Sequence, residues 1–330
     1  MTTWTLRYLS EGKTMLITKF LNPKNDYAFK RIFGTKKNQD ILIHFINDML
    51  GFSGANCIKG VVFLQTDQDP EIAAAKQSSV DVMCTDEVGR QYIVEMQVAK
   101  GRGFEKRAQY YAAKAYSRQL MEKERYINLK EIIFVAITNF IMFPDKVDYK
   151  SDHVVLDKKT YSHDLKDFSF TFMELPKFNK SIDQLDGIVE KWAYFFKHAE
   201  ETSEDELSKI IGSDSVIKRA YEELNRFSWT QEELNTYEQE EKRELDGLAV
   251  RDQLLAEGEA RGEARGEARG KAEGKVEGEG LATHRIATTL LKNGADIDLV
   301  VKSTGLTREE VEAIKIVLRH DGQKIGRGFH

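Results

Sequence analysis

Residues 78–100, SSVDVMCTDEVGRQYIVEMQVAK, carry acids at a spacing that could hold a cation. Glu95 and Gln97 are two apart, so on a strand they share one face while Val94, Met96 and Val98 point to the other. A turn at 86–89 folds the preceding strand back and brings Asp81 opposite position 94 or 95. Two carboxylates on neighbouring strands repel each other unless a cation lies between them. Hard oxygen donors suit Mg²⁺ or Mn²⁺, and the Met96 carbonyl could complete the protein's share. The same pattern also describes a solvated hairpin face, and the residues alone leave both readings open.

Cations and aromatics follow the hairpin. Arg107, Tyr111, Lys114 and Arg118 recur at i, i+4, i+7 and i+11, so one helix face is basic and aromatic. Such a face can grip a phosphate backbone, or it can be a solvated face with tyrosines packed beneath it.

These residues need elements to position them. Asn25 and Asp26 can each cap a helix whose apolar residues are Phe29, Ile32 and Phe33 and which stops at Gly34. Ile41, Leu42, Phe45, Ile46 and Met49 form the apolar face of a second helix ending at Gly51. Strands are expected within 57–65, across the hairpin, and at 131–139, a continuous apolar run suited to a strand covered on both faces. HVVLD and FSFTFMEL add two more, and 179–255 reads as helical. Helices, then strands with an embedded helix, then helices predict an α/β or α+β fold with a mixed sheet, and no Rossmann repeat.

Composition narrows the class. The 330 residues are 41% hydrophobic and 31% charged, with a net charge of −5, so any DNA contact must come from a local basic patch. Two cysteines, Cys57 and Cys84, give no disulfide framework and read as buried free thiols of a cytoplasmic protein. No apolar run approaches membrane-spanning length, and none of the seven histidines sits in a nucleophile motif. Residues 1–14 read as a leader outside the fold.

Towards the C-terminus, Gly recurs every fourth residue from Gly258 to Gly278. A four-residue period drifts around a 3.6-residue helix, and each Gly weakens the helix by roughly 1 kcal/mol relative to Ala. This predicts a marginal helical tether over 257–280, or a self-association helix making a homo-oligomer together with the last helices. The tail 281–330 resembles a helix-turn-helix, with Thr307 and Glu310 as a capping box. Glu309, Glu310 and Glu312 would repel phosphates, which favours protein contact over DNA reading there.

Taken together, NDYAFKRIFG, VDVMCTDEVGRQYIVEMQ, KRAQYYAAKAYSRQL, EIIFVAITNF, MELPKF, the Gly-every-fourth stretch and LLKNGADIDLVVKSTGLTREEVEAI resemble the PD-(D/E)XK nuclease superfamily. Within it the chain is similar to the Rpn branch, the recombination-promoting nucleases and transposases, from about Met15 onward. The resemblance implies a restriction-endonuclease-like core over 15–178, a helical region over 179–256, and Mg²⁺-dependent DNA cleavage, with Mn²⁺ or Ca²⁺ as other ions. It implies Asp81 and Glu95 as metal ligands with the Met96 carbonyl. Gln97 stands where the superfamily usually has a water-orienting Lys. Arg107, Tyr111 and Lys114 would contact DNA. Asp26 would be the acid often found on the first helix, and Glu71 another approaching from the loop. Lys76 or Lys100 would supply the charge that Gln97 lacks. The rival implied by Gln97 is a DNA-binding or assembling protein on a nuclease fold with little catalysis.

Overall fold

The computed structural model describes residues 7–8, 14–15, 18–68, 78–120, 125–212 and 214–325. Glu71 and Lys76 lie outside the described residues. So does most of the expected leader, apart from β1 (Arg7–Tyr8), which pairs antiparallel with β2 (Thr14–Met15). The chain forms two compact units, Met1–Leu248 and Ala249–His330.

The first unit is built on a six-stranded mixed sheet. Its strands are β3 (Val61–Phe63), β6 (Val82–Asp86), β7 (Gln91–Gln97), β8 (Ile132–Thr138), β9 (Lys150–Val154) and β10 (Phe168–Glu174), in the order β3-β6-β7-β8-β10-β9. The short β4 (Asp67–Gln68) and β5 (Ser78–Ser79) pair separately. The β6–β7 hairpin is antiparallel, whereas β7, β8 and β10 run parallel. The mixed α/β architecture is the one the element order predicts. Every residue of β8 is buried, as its unbroken apolar run requires of a strand covered on both faces.

Two helical layers cover the sheet. On one face α3 (Phe104–Ser117) lays Phe104, Ala108, Ala112 and Ala115 against Ile93, Phe134 and Ala136. The alanines let its backbone come close to the strands. On the other face α1 (Asp26–Phe33), α2 (Gln39–Leu50), α4 (Ile188–His198) and α6 (Ser215–Glu223) enclose an aromatic core with Val82, Tyr92, Val94 and Met96. Phe33, Phe45, Trp192 and Phe196 meet there at ring separations of 5.2–6.4 Å. The helices after residue 178 thus complete the core of the sheet. A further helix, α5 (Glu204–Ile211), is opened by a capping box from Ser203 and Glu206.

One continuous helix, α7 (Gln231–Lys292), includes the whole glycine-rich stretch. Residues 251–282 are exposed, and a Cβ added at Gly258, Gly262, Gly266, Gly270, Gly274 or Gly278 would meet nothing within 4 Å. The second unit then adds α8 (Ile297–Thr304) and α9 (Arg308–Ile325) around Ala287, Val300, Val311 and Ile314. Thr307 N donates to Glu310 Oε2 at 2.8 Å and Glu310 N to Thr307 Oγ1 at 3.3 Å, the reciprocal capping box expected from the sequence. Glu310 is therefore occupied in starting α9, and Glu312 lies 4.0 Å from Arg308. Both cysteines are free; Cys84 is buried and Cys57 partly so. Among the described residues no helix is long and apolar enough to cross a membrane.

Candidate active site

The hairpin register pairs Val82 with Val94 and Met83 with Ile93, which carries Asp81 opposite Glu95. Asp81 precedes β6 in a bend, so its carboxylate turns to the neighbouring strand. Met96 N donates to Asp81 Oδ2 at 2.8 Å, and Asp81 N donates to Glu95 Oε1 at 3.3 Å. Glu95 sits on the α3 face between Ile93 and Gln97, beside Ala136 of β8, and is 2% exposed. Among the described residues its carboxylate accepts only from Asp81 N and from Gln97 Nε2.

Electrostatics follow from that burial. Loss of hydration pushes the Asp81 carboxyl up to about 6, against the lowering effect of the Met96 N–H; Asp26 pushes the same way as burial, and Lys30 and Arg107 oppose it. Burial, then the Asp81 charge, hold Glu95 well above the ordinary carboxylate range, with Arg107 again opposing. The hairpin acids are not a solvated face. A cation between them would offset both the burial and the repulsion, and the donors are hard oxygens, so the pair fits a divalent ion. Among the described residues no group of three or more His, Cys, Asp and Glu side chains could hold a metal ion.

Asn25, not Asp26, caps α1: its side chain accepts from Tyr27 N and Ala28 N at 3.1 and 3.2 Å, while its Nδ2 donates to Tyr237 O at 3.2 Å. The capping alternative for Asp26 is thus taken by its neighbour, and the Asp26 carboxylate is left to bind Lys30 Nζ at 2.8 Å. Lys30 Nζ in turn lies 3.9 Å from Asp81 Oδ1. Lys30 was not singled out from the sequence. Its signal is the i,i+4 spacing from Asp26, which puts both side chains on one side of α1. Lys100 is exposed beyond the end of β7. A cleft of about 220 Å³ opens beside Asp26 and Met96, bounded by Lys24, Glu240, Arg243 and Glu244.

The α3 residues divide. Arg107 is half-buried; its Nη2 donates to Gln97 Oε1, and its guanidinium lies 4.9 Å from the Phe104 ring and 5.9 Å from the Tyr111 ring. It points into the hairpin site. Gln97 Nε2 donates to Glu95 Oε2 at 3.2 Å and to the Met96 carbonyl at 3.1 Å. Tyr111 is partly buried, and Lys114 lies 6.0 Å from the Tyr110 ring. Asp81, Glu95, Met96, Gln97, Asp26 and Arg107 are therefore brought together, whereas Lys114 sits further along α3.

Residues 23–253 match the PD-(D/E)XK nuclease family transposase, and residues 281–316 match the C-terminal HTH domain of the Rpn/YhgA-like nuclease family. No curated protein and no solved structure matched the chain. The first match spans well over half of the 330 residues, from α1 through the sheet into α7, and takes in every candidate residue at the hairpin. This chain belongs to the PD-(D/E)XK nuclease family transposases, within the Rpn branch.

Proposed function

We propose that this protein is an endonuclease that hydrolyses DNA phosphodiesters with a divalent ion, Mg²⁺ or Mn²⁺, held by Asp81, Glu95 and the Met96 carbonyl. The observation that carries the reading is the pair of opposed carboxylates, Glu95 buried and Asp81 partly so, to which the described residues offer few hydrogen-bond donors. A bound divalent ion supplies charge neutralisation at the phosphate and a water acidic enough to attack near neutral pH. Asp81 and Glu95 provide the negative charge that makes such a site selective for cations. Gln97 orients: its amide can hydrogen-bond a water or a phosphate oxygen, and Arg107 fixes which way the amide faces. Gln97 cannot take up a proton near pH 7, so proton removal from the water falls to a carboxylate or to solvent.

DNA is the partner that the family favours, and the tail's match to an HTH domain favours it too, against the protein contact expected from Glu309, Glu310 and Glu312. Tyr111 and Lys114 on α3, and the helix-turn-helix over 281–316, are the surfaces we assign to backbone contact. The exposed glycine-rich part of α7 then serves as a tether. Nicking of supercoiled plasmid with Mg²⁺, Mn²⁺ or Ca²⁺ tests the reading: wild type should cut, and Asp81→Ala and Glu95→Ala should not. A second reading, DNA binding without cleavage, is favoured by Gln97, whose amide is engaged at both ends. A DNA shift with no cutting under any of the three ions would select it.

A further inference from the structure

We propose that Lys30 supplies the fixed positive charge that the Gln97 position lacks, so that the site's cation comes from α1 and not from β7; the inference rests on the nuclease reading above. The position next to Glu95 cannot provide it. Gln97 is neutral, and its amide is engaged with Arg107, Glu95 and the Met96 carbonyl. Arg107 is charged, but its guanidinium is bonded to Gln97 and packed against Phe104 and Tyr111, so it is not poised to follow a substrate.

Lys30 has the opposite character. Its side chain is 42% exposed, and its ammonium stands between Asp26 Oδ1 at 2.8 Å and Asp81 Oδ1 at 3.9 Å. The helix beneath it is firmly mounted: Ala28, Phe29, Ile32 and Phe33 are buried and Asn25 closes its N-terminus. A long, half-exposed stem on a rigid helix can swing its charge from Asp26 to a phosphate oxygen without rearranging the fold. Burial pulls the Lys30 pKa down, but the hydrogen bond to Asp26 and the charges of Asp26, Asp81 and Glu95 outweigh it and leave it above its ordinary value. Held at 2.8 Å from Asp26 and within reach of Asp81, the Lys30 ammonium is placed to draw the scissile phosphate to the site and offset charge that develops there. Asp26 parks the ammonium when DNA is absent.

Full-length wild type, Lys30→Met, Lys30→Arg, Gln97→Lys and the Lys30→Met/Gln97→Lys double variant test this. Each is compared in single-turnover plasmid nicking and, separately, in Mn²⁺ binding by calorimetry without DNA. Lys30→Met should nick about a hundredfold more slowly while binding Mn²⁺ at least as tightly, because a cation beside Asp81 has gone. Lys30→Arg should keep most of the rate, and Gln97→Lys should restore nicking in the Lys30→Met background. Wild-type nicking by Lys30→Met overturns the inference. So does a parallel loss of Mn²⁺ affinity and nicking that Gln97→Lys does not repair, since Lys30 would then only hold Asp26 and Asp81 in place. Absence of nicking by wild type itself sinks the nuclease reading and this inference with it.

Discussion

One hairpin, β6–β7, buries acids at both of its ends and treats them differently. At the turn, Asp86 accepts from Val88 N at 3.1 Å, Arg90 N at 2.9 Å, Arg90 Nε at 2.7 Å and Tyr92 Oη at 2.9 Å. Gly89 makes this possible, with φ at +89°, where an ordinary residue would be strained. At the open end, among the described residues, Asp81 has one main-chain donor at 2.8 Å and Lys30 at 3.9 Å, and Glu95 has donors at 3.2 and 3.3 Å. A third buried acid, Glu174, resembles Asp86: it binds Phe143 N at 2.9 Å and Lys177 Nζ at 2.7 Å. A carboxylate that serves the fold collects its partners from its own chain. In the proposed function, the acids at the open end have few donors among the described residues, and a bound cation would offset their charge. Burial alone does not distinguish the two kinds; the supply of donors does.

Breaking the pair at the open end should have the largest effect. Asp81→Ala and Glu95→Gln are each expected to lower plasmid nicking by on the order of a thousandfold, with thermal unfolding of the metal-free protein unchanged or shifted upward. Asp86→Ala should do the reverse. Removing the acceptor of four donors should destabilise the protein by about 4 kcal/mol in urea unfolding, with nicking per folded molecule preserved. A collapse of nicking in folded Asp86→Ala would erase the contrast between the two ends.

The acids should also differ in their response to pH. The Asp81 carboxyl is raised in the folded state to about 6 from 3.8, so the metal-free fold binds the proton more tightly than the unfolded chain does. The stability this confers is complete below pH 3.8 and is lost as pH rises through 6. That stability should disappear across this window in chelator, and Asp81→Asn should flatten that part of the curve. A Glu95→Gln protein with the wild-type slope would assign the whole effect to Asp81; equal slopes in wild type and Asp81→Asn would refute the mechanism. Added Mn²⁺ should restore stability above pH 6 in wild type but not in Asp81→Asn. The smallest effect belongs to the helix that brings Asp26 and Lys30 to the site. Asn25→Ala removes its cap and the bond to Tyr237 O, and should lower stability by about 1 kcal/mol while slowing nicking only modestly.

Much of this was legible in the sequence because local rules govern it. Period-2 alternation placed Glu95 and Gln97 on one face, and the turn at 86–89 set the register that opposes Asp81 to Glu95. The unbroken apolar run of β8 announced a strand covered on both sides, and Thr307 with Glu310 announced the start of α9. Other features depend on which elements meet. Arg107 has the same helical spacing as Lys114, yet α3 lies against the sheet so that Arg107 turns inward to Gln97. Asp26 could have capped its helix; Asn25 does so, and its amide also reaches Tyr237, more than two hundred residues away in the chain. Lys30 carries no motif at all, and its 3.9 Å approach to Asp81 exists only because α1 packs beside the open end of the hairpin. The sequence by itself determined the strands, the opposed acids and the family, since these rest on periodicity, turn geometry and residue order. The tertiary structure alone decided which charges surround the acids and how far each acid is withdrawn from water, because desolvation and Coulomb energy depend on distances between segments far apart in the chain.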